Sequence, residues 1–349
     1  ADAGAALLLA SHCGRPKGEP KPEFSLRPVA AKLAELMDRE VRFAGDCVGE
    51  AARAASASIG AGEICLLENL RYHQAETANE PDFSAALASL ADAYVSDAFG
   101  TVHRAHASTA GVPALLSRKA AGRLVVREVE ALGGLLDSPE PPFTAILGGA
   151  KISGKMDTLE NLLPRIDSLL VGGGMANTFL AAKGHDMAHS LVETDRVEMA
   201  RDVLDRAEAA EVLVVLPTDL VVTDNLHGTP GRIEVVAAGD VPLGLMAVDI
   251  GPATRAEMAK LLAEAGTVFW NGPMGVFEKP PFDSGTVAVA AALGSCPGFT
   301  AIGGGETVAA ARRAEADDKI DHVSTGGGAS LELLAGKTLP GVEALRRTS

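Results

Sequence analysis

The chain has 349 residues, 47% of them apolar but only 4% aromatic, and a formal net charge of −15. That length is long for one hydrophobic core and predicts two domains, with interiors built on Ala, Leu and Val. The acidic balance excludes a general affinity for nucleic acid, whose phosphates demand a basic face, but leaves room for local basic clusters that hold a small anion. The four cysteines, Cys13, Cys47, Cys65 and Cys296, are scattered without a CxxC pair. Such spacing reads as neither a disulfide framework nor a zinc site and predicts a reducing, cytoplasmic setting. No apolar stretch has the length of a membrane span. The first residue is Ala rather than Met, which suggests a start downstream of a gene's own.

Taken in order, Gly4–Ser11 reads as a strand opening into the loop His12–Pro22, dense in Gly, Pro, Lys and Arg. Pro28–Met37 has helical spacing, and Val41–Phe43 and Ile64–Leu67 read as strands around an alanine-rich helix, Val48–Ala57. Phe83–Ala91 predicts a helix, Ala93–Val95 a strand, and Asp97–Thr109 a polar loop. Arg118–Leu136 keeps helical periodicity without an internal proline and ends at a proline-rich stretch, 137–142. It is the natural connection between two domains, with Gly133, Gly134 and the following prolines as candidate hinge elements. Beyond it, strand and helix alternate to about residue 325, the pattern of a doubly wound parallel sheet.

Five apolar runs in this second half end in glycine: Phe143–Leu147 before Gly148, Ser168–Val171 before Gly172, Thr267–Trp270 before Asn271-Gly272-Pro273, Phe299–Ile302 before Gly303, and His322–Thr325 before Gly326. An apolar run ending this way reads as a buried parallel strand leaving its sheet, and ligands of open α/β sheets sit outside those ends. Glycine there lets backbone N–H groups approach an anion. Gly149–Lys155 nearly fits a P-loop, but Met156 stands where a hydroxyl would hold magnesium, which speaks against the rival reading of a P-loop hydrolase. Lys151 and Lys155, four apart, predict one face at the mouth of a helix, either as anion ligands or as solvated lysines.

Three loops of the first half each follow a strand and offer an arginine and a histidine: His12 and Arg15, Arg71 and His73, His103 and Arg104. Arginine binds phosphate or carboxylate through a planar fork, and histidine adds a tunable donor. Three such loops at equivalent strand ends predict one anion pocket, although each residue alone reads as a surface charge. His103 and His106, spaced i, i+3 without an acidic partner, are a poor zinc pair.

The loops together resemble the phosphoglycerate kinase family. SHxGRP, ENxRxH, DAFGTxHRAHAS, GGAKxxxK, GGGMAxTF, WNGPMGVFE, GGG[DE]T and STGGGASLELLxGKxLPGV occur in family order across essentially the whole chain. The resemblance implies an α/β protein with two Rossmann-like doubly wound parallel-sheet domains joined by a helix and hinge. It places a phosphoglycerate-binding domain at 1–122 plus a returning segment, 336–349, a connection at 123–142, and a nucleotide-binding domain at 143–335. The substrates implied are 3-phosphoglycerate or 1,3-bisphosphoglycerate and ADP or ATP with Mg²⁺, in a monomer that meets neither nucleic acid nor membrane.

Residue by residue, the resemblance assigns the phosphoglycerate to His12, Cys13, Gly14, Arg15, Arg71 and Arg104, with His103 beside them but not as a base. It gives phosphoryl transfer to Lys151, Lys155 and the loop Gly326, Gly327 and Gly328. The nucleotide falls to Lys155, Gly173, Asn271, Pro273, Glu278, Gly303, Gly304, Gly305, Glu306 and Thr307, with Glu306 also facing the metal. Two departures stand out. The family opens with a strand bearing a V-D-F-N type motif and then a further arginine, neither of which this sequence contains, so the first domain is expected to be incomplete at its N-terminus. That leaves open the alternative of a truncated nucleotide-binding chain with little or no turnover. Glu306 also stands where the family usually has Asp, which lengthens the carboxylate's reach by about one bond.

Overall fold

The computed structural model describes residues 1–228 and 231–346. Contacts divide the chain into two units, Ala1–Val126 with the segment from Thr338 onward, and Arg127–Lys337. The last three residues of the expected returning segment, 347–349, lie outside the described residues.

In the first unit, strands β1 (Leu7–Leu9), β2 (Arg42–Phe43) and β3 (Ile64–Leu66) form a parallel sheet in the order β1-β3-β2. Strands β4 (Tyr94–Ser96) and β5 (Lys119–Ala121) pair in parallel as a separate ribbon. Helices Arg27–Met37 and Gly49–Ser58 form the connections around β2, and Cys65, Leu67, Leu87 and Val112 share a buried cluster. The segment after Thr338 docks through a backbone bond from Gly341 N to Val102 O, 2.8 Å, with Leu339 buried.

Two expectations fail here for visible reasons. The helical pattern over Arg118–Leu136 begins too early, because Lys119–Ala121 is β5 and the helix runs Arg123–Asp137. Gly122 N is held by Ser96 O at 2.7 Å, and the Asp97 carboxylate then accepts from Leu124 N (2.7 Å) and Val125 N (3.2 Å). This is a helix cap supplied from a distant segment, which periodicity cannot reveal. The helix buries Val125, Glu128, Leu132 and Leu135 as one stripe. Gly133 and Gly134 lie inside it rather than in a hinge loop. The second failure is the polar loop Asp97–Thr109, which folds into a 3₁₀ turn, Phe99–Thr101, and contributes the start of a π-helical turn, Ala107–Gly111. The Thr109 hydroxyl accepts from His106 N at 3.0 Å and donates to Arg104 O at 2.6 Å, which fixes that turn.

The second unit is built on strands β6 (Phe143–Leu147), β7 (Ser168–Val171), β8 (Leu213–Val215), β9 (Asp219–Thr223), β10 (Ile233–Ala237), β11 (Met246–Ile250), β12 (Thr267–Asn271), β13 (Phe299–Gly303) and β14 (His322–Val323). Six of them form a parallel sheet in the order β14-β13-β12-β6-β7-β8. β6, β7 and β12 are buried along their whole length, which explains their unbroken apolar runs. Trp270, Ile146, Leu170 and Ile302 meet in one buried cluster. The simple alternation of strand and helix breaks at β9–β11, which form a separate antiparallel sheet in the order β10-β9-β11. Parallel pairing needs a crossover of a dozen or more residues, and the links Asp224–Arg232 and Ala238–Leu245 are too short to supply one.

Because the six-stranded sheet is parallel, the five glycine-ended strands β6, β7, β12, β13 and β14 all leave it at one edge. There the loops are stitched to one another. Gly148 N donates to Asn271 O (3.0 Å), Gly149 N to Pro273 O (2.7 Å) and Gly173 N to Met274 O (2.8 Å). Gly272 sits at φ +93°, and a Cβ there would stand 2.5 Å from both Gly148 O and Lys155 Nζ. Gly272→Ala is therefore expected to cost on the order of 1–3 kcal/mol, from left-handed strain and overpacking, read as a lowered urea midpoint with unchanged slope.

Candidate active site

At the strand-end network of the second unit, the Lys155 ammonium donates to Gly148 O at 2.7 Å and to Asn271 O at 2.6 Å. Enclosure of the ammonium pulls its pKa down to about 7, against the opposing pull of Glu306. A cation held at the edge of neutrality by burial is one whose charge an arriving anion would restore. Asn271 Nδ2 reaches across to Gly303 O (2.8 Å), and the Thr307 hydroxyl accepts from Gly272 N (2.8 Å). Gly304, at φ +96°, turns the chain from β13 into the helix Gly305–Arg313.

Beside this network opens a cavity of about 290 Å³. Of the residues expected to bind nucleotide, Gly173, Pro273, Glu278 and Glu306 line it, and Lys155, Asn271, Gly303–Gly305 and Thr307 lie outside its lining. Burial, together with a hydrogen bond and repulsion from Glu278, pushes the Glu306 carboxyl up, while Lys155 opposes the rise. Both carboxylates line the cavity, and together they offer oxygen donors of the kind a hard cation takes.

The paired-lysine expectation needs correction. The helix begins only at Met156, so Lys151 and Lys155 lie in the preceding turn and share no helical face. Lys151 is exposed, whereas Lys155 folds back under the strand ends. The intervening backbone is held elsewhere, since Glu193 accepts from Ser153 N at 3.3 Å and from the Ser153 hydroxyl at 2.8 Å.

The loop Gly326–Gly328 is anchored by residues that no local motif marks. Glu128, fully buried on the helix Arg123–Asp137, accepts from Thr325 N and the Thr325 hydroxyl, each at 2.7 Å, and pairs with His322 Nε2 at 2.8 Å. Burial alone would raise its pKa, but the bonds from His322, Ser324 and Thr325 hold it below the ordinary carboxylate value. Gly326 N donates to Ser324 Oγ (3.1 Å), Gly327 takes φ +37°, and Gly328 opens the helix Gly328–Leu334. Asp249, which lines the cavity, also escapes a motif search. It is buried, accepts from Gly285 N (2.6 Å) and Ile250 N (2.9 Å), and faces Arg255 at 3.3 Å, yet burial lifts its pKa to about 7.

In the first unit, Arg15, Arg71 and Arg104 line one cleft of about 320 Å³, together with Lys17 and His73. Four cationic side chains with no carboxylate among the lining residues give the cleft a positive field of the kind that suits an anion. Arg71 is oriented by a bond to Gly14 O at 3.1 Å, and its buried Nε has no hydrogen-bond partner among the described residues. Arg104 Nε donates to His103 Nε2 at 3.1 Å, which places His103 as a support for the guanidinium. His12 and His106 line a separate cavity of about 530 Å³. Burial, then the nearby Arg71 charge, drives each imidazole down to about 4, so both are neutral at physiological pH.

Cys13 and Gly14 contribute backbone. Cys13 O accepts from Asn69 Nδ2 at 2.8 Å, and Gly14, at φ +62°, leaves no room for a Cβ beside Phe24. Asn69 also accepts from Arg71 N at 3.0 Å, so one buried amide joins both arginine-bearing loops. A further residue outside the expected set is Glu76, buried beside His106 at 3.7 Å, with two bonds from Ser108. No helix among the described residues is long and apolar enough to cross a membrane.

The family model for phosphoglycerate kinase matches residues 1–337. Phosphoglycerate kinases of Desulforudis audaxviator and Moorella thermoacetica are each 52% identical, over 98% and 99% of this chain and 86% and 87% of their own lengths. The solved phosphoglycerate kinase of Coxiella burnetii superposes with a TM-score of 0.88 at 40% identity, covering 99% of this chain and 87% of that one. That of Pyrococcus horikoshii gives 0.85 at 32% identity, with the same coverage. An α/β chain carrying an arginine-lined cleft in one unit and a glycine-edged parallel sheet in the other, with relatives this similar over nearly its whole length, belongs to the phosphoglycerate kinase family.

Proposed function

We propose that the two units of this phosphotransferase divide its substrates, the first holding the phosphoglycerate and the second the nucleotide. The reaction is reversible transfer of a phosphoryl group from the acyl phosphate of 1,3-bisphosphoglycerate to ADP, leaving 3-phosphoglycerate and ATP. The carrying observation is the pair of unlike sites. One is an arginine cleft with an orphaned buried guanidinium nitrogen. The other is a glycine-edged cavity with an enclosed lysine and a carboxylate pair.

In this reading Arg15, Arg71 and Arg104 grip the phosphate and carboxylate of the phosphoglycerate bidentately, and His103 steadies Arg104. Lys155 meets the nucleotide phosphates, and backbone N–H groups of Gly327 and Gly328, in the loop anchored through Thr325 by Glu128, face the phosphoryl group in flight, the Gly326 N–H being held by Ser324. Phosphoryl transfer asks for in-line positioning and charge neutralisation rather than a nucleophilic side chain, so no general base is required. Glu306, with Glu278 beside it, would hold Mg²⁺, which when bound neutralises phosphate charge. The helix Arg123–Asp137 is the connection through which we propose that the two sites are brought together, with bending at its ends rather than at Gly133 and Gly134. Expulsion of water from the closed site would protect the acyl phosphate from hydrolysis. We further propose a monomer acting in the cytoplasm.

The metal assignment has its own test. Glu306→Gln is expected to weaken magnesium-linked ADP binding more than binding of free ADP, and Glu306→Asp to shift the magnesium midpoint of turnover. Identical magnesium titrations for all three proteins would reduce Glu306 to an acid favoured by the start of its helix.

A further inference from the structure

At the border of the arginine cleft, which His73 also lines, Asp46, Cys47 and His73 bring one carboxylate oxygen, one thiol sulfur and one imidazole nitrogen within 4.8 Å of one another. We propose that these three side chains form a binding site for a borderline-soft divalent cation of the zinc type, with water in the fourth position. The donor set is the argument. Carboxylate, imidazole and thiolate are the ligands zinc takes, at about 2.0–2.3 Å each, and three protein ligands plus water complete a tetrahedron. A tetrahedral set at those lengths needs ligand atoms roughly 3.5 Å apart, so from within 4.8 Å of one another these atoms have little distance to close.

The surroundings favour the same ligand. His73 Nε2 and Asp46 Oδ1 already face each other at 2.7 Å, and the imidazole is braced by the Phe83 ring with centroids 5.3 Å apart. Asp46 Oδ1 also takes the Cys47 N–H at 2.7 Å, which fixes the carboxylate beside the thiol. A cation bound here displaces the thiol proton, which leaves to solvent as the sulfur–metal bond forms. Cys47 is fully buried while Asp46 and His73 are partly exposed, and His73 lines an open cleft, so the ion has an entry path from their side. The ligands come from two loops, 27 residues apart at the extremes of Asp46 and His73, and no CxxC spacing announces them.

The test is competition for Zn²⁺ against a chromophoric chelator, using the full chain and its Cys47→Ser, His73→Gln and Asp46→Asn variants. The expected result is one tightly held zinc per chain, bound at least about tenfold more weakly by Cys47→Ser and by His73→Gln. Equal affinity in the parent and in folded Cys47→Ser would overturn the proposal. Co²⁺ added to the unmodified chain supplies a readout that needs no variant. A thiolate-to-cobalt charge-transfer band in the near ultraviolet supports the site, and absence of that band at saturating Co²⁺ contradicts it.

Discussion

Replacing Arg71 by alanine is expected to weaken 3-phosphoglycerate binding by about 2–4 kcal/mol, roughly 30- to 700-fold, the range for truncating one side of a desolvated charge pair. Arg71 is the best-prepared residue of its cleft. Its guanidinium is aimed by Gly14 O, its backbone N–H is tied to Asn69, and its Nε is buried without a hydrogen-bond partner among the described residues. A buried donor left in that state costs free energy that a bound anion recovers. Arg71→Lys should recover little, because an ammonium supplies no planar fork. The check is the KM for 3-phosphoglycerate in a coupled assay, with circular dichroism to establish folding. A KM within twofold of the parent for Arg71→Ala would remove this residue from the site.

Lys155→Ala should strike the other substrate, weakening Mg-ADP by roughly 1–3 kcal/mol, the scale of a charge-assisted hydrogen bond. The lysine also carries a pH signature. Its pKa in the free protein is pulled down to about 7 by burial, and contact with phosphate should raise it again. Nucleotide binding measured above that value therefore takes up a proton, and affinity falls as pH rises until the bound-state pKa is passed. Calorimetry in buffers of different ionisation enthalpy reads this uptake directly. The excess uptake should vanish in Lys155→Ala, which controls for titration of the nucleotide itself. The same depression has a stability consequence of opposite slope. The unfolded chain binds this proton more tightly than the folded one, so the lysine's contribution to stability improves as pH rises from about 7 towards its ordinary value near 10.5.

Much of this is legible in the chain itself. The five glycine-ended strands could be placed because a parallel strand buried on both faces writes itself as a continuous apolar run, and β6, β7 and β12 are buried throughout. The arginine loops could be grouped because each follows a strand. What could not be read depends on distant partners. The start of the helix at Arg123 is set by Asp97, some two dozen residues earlier, so periodicity alone ran the helix through β5. The antiparallel sheet β10-β9-β11 hides because short apolar runs carry no sign of direction, and only the brevity of the links excludes a crossover. Lys151 and Lys155 looked like a pair on one helical face, but the helix waits until Met156 and only one of them turns inward. Glu128 is invisible for a related reason. A glutamate in a helix reads as a solvated charge, and only tertiary packing makes it the anchor of Thr325.

The division of substrates between the two units is tested most directly by a two-by-two titration. Binding of 3-phosphoglycerate and of Mg-ADP is measured by calorimetry on Arg71→Ala and on Lys155→Ala, each against the parent chain. The account predicts crossed losses, with Arg71→Ala losing the phosphoglycerate and keeping Mg-ADP affinity, and Lys155→Ala doing the reverse. Loss of both ligands from either folded variant, or loss of the phosphoglycerate from Lys155→Ala alone, would contradict it.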